Sequence, residues 1–141
     1  MKKNIVIFFC LILASQGCGL EDPLEKREIK FVNKSNGTVY GIDSRTDSLN
    51  NRYSQLDSSG REELFKTPKD SAILIRDKPN NWDNYIFYSK DGKMRFFVIS
   101  KDSVDKYGWK KIMNQNIYTK VYRVDITDLN KLKWVIIYNG K

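Results

Sequence analysis

The 141-residue chain carries 25 Lys and Arg against 17 Asp and Glu, two cysteines and no histidine. Lacking histidine, it is excluded from His-based general acid–base catalysis, Ser-His-Asp and Cys-His arrangements, and nearly all zinc sites. Its excess of +8 is spread in short interrupted clusters such as Lys110-Lys111 and Lys131/Lys133, which favours solubility and speaks against a nucleic-acid binder.

The first element is a targeting segment. Met1-Lys2-Lys3-Asn4 is charged, and Ile5 to Ala14 is an uninterrupted apolar run of ten residues that leads through small residues to Gly17-Cys18. A charged start, a 7–15-residue apolar core and a small-residue exit define a secretory signal. The run is too short for a bilayer span, which needs about 20 residues. The exit resembles a lipobox, in which a small residue precedes a cysteine that receives a diacylglyceryl group. Gly17 and Cys18 match that pattern; Ser15 departs from its preference for Leu. The resemblance implies cleavage before Cys18 and attachment to a membrane through lipid on Cys18. An ordinary secretory signal leaving a free thiol is the alternative.

Glu21-Asp22 resembles the acidic surface-export signal of Bacteroidota lipoproteins, which implies the outer membrane and its cell-surface face. A solvated tether on the periplasmic face is the other reading. Loss of residues 1–17 leaves 124 residues and, because Lys2 and Lys3 depart, lowers the balance from +8 to +6. Cys18 is then the only cysteine, so no intrachain disulfide forms and stability must come from packing.

Residues 18–28 are polar and read as a lipidated tether, and 29–141 as a single domain. Ile29–Asn33 and Thr38–Ile42 flank Asn36-Gly37, a β-hairpin signal. Residues 43–70 read as a long loop, expected to be functional, with a short helix through Leu49, Tyr53 and Leu56. Ala72–Arg76 reads as a strand and Trp82–Tyr88 as a helical turn or strand. Lys90-Asp91-Gly92-Lys93 is a tight turn before a buried strand, Met94–Ile99. Asp102–Asn114 reads as a helix capped by Asp102 or Ser103 and weakened by Gly108. Tyr118–Asp125 alternates like a half-buried strand, Thr127–Leu132 suits one helical turn, and Trp134–Tyr138 closes the chain as a strand. The expected fold is mainly β: an antiparallel β-sandwich of six to seven short strands with one or two short helical insertions.

The order of these parts resembles a family of small lipoproteins from Bacteroides and relatives. The resemblance runs from Phe31-Val32-Asn33-Lys34-Ser35-Asn36 through Asp47-Ser48-Leu49, the Trp82 segment, Ser100-Lys101-Asp102 and the Trp109 helix. It continues through Val121-Tyr122-Arg123-Val124-Asp125 to Asp128-Leu129-Asn130-Lys131-Leu132-Lys133-Trp134. It implies location and a compact β-rich domain, and no activity.

Candidate ligand contacts are Trp82 and Trp109, which would stack on sugar rings if exposed and contribute to the core if not. Trp134, within an apolar strand, reads as core. Glu62-Glu63 read as a solvated face rather than a glycosidase pair, which needs a fixed carboxylate separation. Ser48, Ser71 and Ser103 each sit in an Asp-Ser-apolar triplet resembling the O-glycosylation pattern of exported Bacteroides proteins; turn and cap chemistry explains the same triplets. No cofactor, metal or catalytic set is expected. The chain reads as a non-enzymatic binding or accessory lipoprotein for a glycan or protein partner. A protective (immunity) lipoprotein and a structural subunit of an outer-membrane complex are the rivals.

Overall fold

The computed structural model describes residues 27–49, 61–75 and 81–141. The lipobox, Cys18 and the expected 49–56 helix beyond Leu49 lie outside them. Seven strands among the described residues form two sheets. They are β1 (Ile29–Asn33), β2 (Val39–Ser44), β3 (Lys66–Thr67), β4 (Ala72–Ile75), β5 (Met94–Ser100), β6 (Lys120–Val124) and β7 (Val135–Tyr138). One sheet has the order β4-β1-β7, the other β3-β2-β5-β6. All pairings are antiparallel except β1 with β7, where Phe31 faces Ile136 in parallel register. Three α-helices among the described residues join them: α1 (Asn81–Phe87), α2 (Lys101–Gln115) and α3 (Ile126–Lys131).

The architecture has three layers. Alternate residues of the first sheet, Ile29, Phe31, Ile136 and Tyr138, meet Val39, Phe96 and Val98 of the second in one core. The opposite face of the second sheet, with Tyr40, Ile42, Phe97 and Ile99, packs on Trp109, Ile112 and Met113 of α2. The central strands β2 and β5 are therefore buried on both faces, which is why Met94–Ile99 is continuously apolar apart from Arg95. The outer face of the first sheet is uncovered: Lys30, Ala72, Leu74 and Ile137 are exposed.

Gly41 belongs to this packing. A Cβ there would stand 2.6 Å from Phe96 Cζ and 3.0 Å from Phe31 Cδ1, so the glycine lets both rings lie against the β2 backbone. Gly41→Ala should cost about 1–3 kcal/mol through overpacking. Urea unfolding measures this, and an unchanged midpoint would show that the rings have room to move.

The expected β1–β2 hairpin does not form. Neither Asn36 nor Gly37 has the positive φ of a type I′ turn, and the two strands enter different sheets. The buried Asn33 side chain organises the crossing instead. Its Nδ2 donates to Gly37 O (2.7 Å) and Thr67 O (2.9 Å), while Oδ1 accepts from Ser35 N (2.9 Å) and Ser35 Oγ (2.7 Å). These bonds satisfy the amide completely and carry the chain from one layer to the next.

The helix starts differ in detail from expectation. Ser100 caps α2 by accepting from Ser103 N, so neither Asp102 nor Ser103 is the cap. Gly108 (φ 69°, ψ 155°) kinks α2 between its two halves. A reciprocal capping box between Asp125 and Asp128 starts α3. Asp91 and Gly92 both take positive φ, which makes the expected tight turn into β5.

Candidate binding surface at the proximal end

The strand registers bring a set of loops to the end where the chain reaches Arg27, here the proximal end. Ile29 pairs with Ile75 and Lys30 with Val135, so β1 begins where β4 ends and β7 begins. In the other sheet Ser44 pairs with Arg95 and Met94 with Val124, so β2 and β6 end where β5 begins. Side chains of the helix Asn81–Phe87 tie the two ends together: Trp82 Nε1 donates to Arg27 O (2.8 Å), before β1, and Tyr85 Oη to Asp43 Oδ2 (2.6 Å), on β2. Helices α1 and α3 cap this end.

Between them lies an open groove of about 430 Å³, lined by Asp83, Asn84, Phe87, Asp125, Ile126 and Thr127 among others. Its two carboxylates are already engaged. Asp83 pairs with Arg27 (3.7 Å), and Asp125 caps α3 and faces Lys93 at 3.9 Å. Phe87 and the following Tyr88 stand at the rim, 74 % and 70 % exposed, their rings edge to face at 5.1 Å. Across the end, Lys133 and Trp134 take positive φ in the turn after α3, and the Trp134 ring lies under the Arg27 guanidinium at 5.4 Å.

A buried arginine fixes the neighbouring loop. Arg95 is 1 % exposed, and each of its three guanidinium nitrogens is hydrogen-bonded. Its Nε donates to Asp47 Oδ1 (2.8 Å), Nη1 to Lys90 O and Asp91 Oδ1 (both 2.6 Å) and to Lys93 O, and Nη2 to Asp91 Oδ2 (3.0 Å). Asp47 also accepts from Lys90 Nζ (2.7 Å) and lies 3.4 Å from Arg123 Nε. These bonds hold the carboxyls of Asp47 and Asp91 below the usual carboxylate range. Asn116, left-handed at the end of α2, clamps the same loop: Nδ2 donates to Asp47 O (2.9 Å) and Oδ1 accepts from Leu49 N (2.8 Å).

The two candidate ligand tryptophans are both in the core. Trp82 is 1 % exposed, packed edge-on against Tyr85, and Trp109 is 3 % exposed, edge-on to Tyr40. The amphipathic spacing of α1 turns Trp82, Tyr85 and Ile86 inward and leaves Phe87 outside. Neither tryptophan offers a face to a ligand; the exposed aromatics of this segment are Phe87 and Tyr88. Trp134, read as core, is half-buried against the first core and donates from Nε1 to Asn130 Oδ1.

Glu62, read as solvated, accepts from Trp109 Nε1 at 2.7 Å, and Glu63 pairs with Lys66 at 2.8 Å. The Ser71 hydroxyl donates to Pro68 O in a turn (2.7 Å), and the Ser103 hydroxyl lies 2.8 Å from that of the cap residue Ser100. Ser48 is exposed between the fixed Asp47 and the buried Leu49.

Sequence reasoning passed over Arg95 and Asn116. The available signal for Arg95 was a lone charge inside an apolar strand. Among the described residues no group of three or more His, Cys, Asp or Glu is placed to hold a metal ion, and no helix is long and apolar enough to cross a membrane. The fold thus defines a mainly β, two-sheet sandwich backed by one helix. No family model, curated protein or solved structure matches the chain.

Proposed function

We propose that this is an exported lipoprotein of the outer membrane, held by acyl chains on Cys18, whose domain serves a non-catalytic binding or accessory role. The proximal end is its contact surface. The observation behind this reading is the Trp82–Arg27 bond, which joins the start of the domain to the helix that carries the groove and the exposed aromatic pair. Anchor and contact surface then lie at one end. A groove of that size with an aromatic rim and a few polar groups suits binding. Its carboxylates are committed to a cation and a helix cap rather than free for acid–base work.

Cys18→Ala should shift the protein from the membrane fraction to the soluble one and remove the acyl mass. A variant that stays on the membrane defeats the anchor reading. Turnover on a panel of glycoside and ester substrates would defeat the non-catalytic one.

A second reading, protection or assembly through protein contact, is favoured by the uncovered outer sheet face, where Leu74 and Ile137 are 59 % and 48 % exposed. Cross-linking from that face to a defined partner would support it over the first.

A further inference from the structure

We infer that the partner of the proximal surface is the bilayer itself: Phe87 and Tyr88 sit in its interface and hold the domain end-on to the membrane. The inference rests on the acylation of Cys18 proposed above.

Chain length sets the reach. Nine residue steps separate Cys18 from Arg27, and an extended chain covers at most about 3.3–3.6 Å per residue, or about 30 Å in all. The proximal end is therefore confined to within about 30 Å of the lipid that carries the acyl chains. The distal β1–β2 crossing, with exposed Asn36, lies a strand length from the Arg27 end, about 17 Å for five residues.

The chemistry of the proximal end fits a membrane interface. Four of the large apolar side chains that remain exposed belong to segments meeting there: Leu74 on β4, Phe87 at the end of α1, Tyr88 after it, and Leu132 after α3. Phe87 and Tyr88 are the most exposed of the four, although Trp82, Tyr85 and Ile86 of the same helix are buried. Their backbone is fixed. Tyr88 N donates to Asn84 O (3.1 Å), Ser89 N to Ile86 O (3.0 Å) and Ser89 Oγ to Tyr85 O (2.7 Å). The rings are thus presented by a formed turn. An aromatic ring with a polar tip, such as Tyr88, is favoured at headgroup level, where one end is apolar and the other wet.

Charge does not oppose this placement. Arg27, Lys90 and Lys93 are matched by Asp83, Asp47 and Asp125, and the exposed Lys131 and Lys133 at the end of α3 can reach lipid phosphates.

The test uses the acylated full-length product. Cys10 leaves with the signal and Cys18 is acylated, so Tyr88→Cys provides a single free thiol. That thiol carries an environment-sensitive fluorophore in vesicles of phosphatidylethanolamine and phosphatidylglycerol. Phe87→Cys is the second test position and Asn36→Cys the distal control, each with its acyl mass verified. Labels at 87 and 88 should shift to the blue and be quenched severalfold more by bromine-bearing acyl chains than the label at 36. Equal, water-like emission at all three positions in acylated protein overturns the inference while leaving the anchor intact. A blue shift without lipid quenching also overturns it, and assigns the pair to a protein contact such as a second copy. Absence of the acyl mass removes anchor and inference together.

Discussion

Trp82→Ala should destabilise the domain by about 3–5 kcal/mol, the range for truncating a fully buried large aromatic. The ring fills the first core beneath α1, contacts Tyr85 at 5.5 Å, and through Nε1 holds Arg27 O. Its removal opens a cavity and also frees the start of the domain from α1. Against a typical domain stability of about 5–15 kcal/mol, the loss is large enough to leave a measurable unfolded fraction at raised temperature. Urea denaturation followed by far-ultraviolet circular dichroism measures it as a fall in midpoint at unchanged slope. A ligand-stacking tryptophan would behave oppositely, losing binding with stability intact; a midpoint within error of the wild type would contradict the packing described here.

Arg95→Leu is expected to cost about 2 kcal/mol, within the range for hydrogen bonds to charged groups. The guanidinium is enclosed, and its loss removes a donor from Lys93 O and Asp91, while Lys90 O keeps Lys93 N (3.2 Å) and Asp47 keeps Lys90 Nζ (2.7 Å). Asp47 and Asp91 are 36 % and 55 % exposed, so water recovers part of their solvation and the cost stays below that of a fully buried pair. The variant should also change the acid response. In the wild type both carboxyls have folded pKa values depressed below the ordinary carboxylate value of about 4, so their contribution is complete above that pH and is lost as pH falls towards the folded values. Arg95→Leu removes the main cause of the depression, so its melting temperature should fall less steeply below about pH 4. An identical acid limb in both proteins would show that Arg95 does not set these carboxyls.

Local structure was legible where the signal is local. Runs such as Ala72–Ile75 and Val135–Tyr138 declare strands by their apolar and β-branched content, Asp91-Gly92 supplies positive φ, and the α3 turn follows directly after Asp125. The Asn36-Gly37 hairpin failed because the competing hydrogen bonds of Asn33 include a partner 34 residues away, Thr67 O. The sequence left Trp82 open between core and surface because it follows Pro79-Asn80-Asn81, which reads as a surface turn. Which face of a seven-residue helix meets the core depends on the sheets beneath it. Arg95 was missed because its partners Asp47 and Asp91 converge only when β2, β5 and the turn before β5 are assembled.

By itself the sequence determined the mainly β class, the strand segments other than Lys66–Thr67, which lies in the stretch read as a loop, and the absence of histidine chemistry, because propensity, periodicity and composition are properties of neighbouring residues. Its signal-like start and the Gly17-Cys18 pair supplied the expectation of a lipid anchor. Tertiary structure decided the division into two sheets, the parallel β1–β7 pairing, the burial of both candidate ligand tryptophans and the exposure of Phe87 and Tyr88. It also placed Arg27 at the end that carries the aromatic pair. Each of these turns on pairings between distant residues, such as Phe31 with Ile136, whose strength comes from the core they jointly enclose.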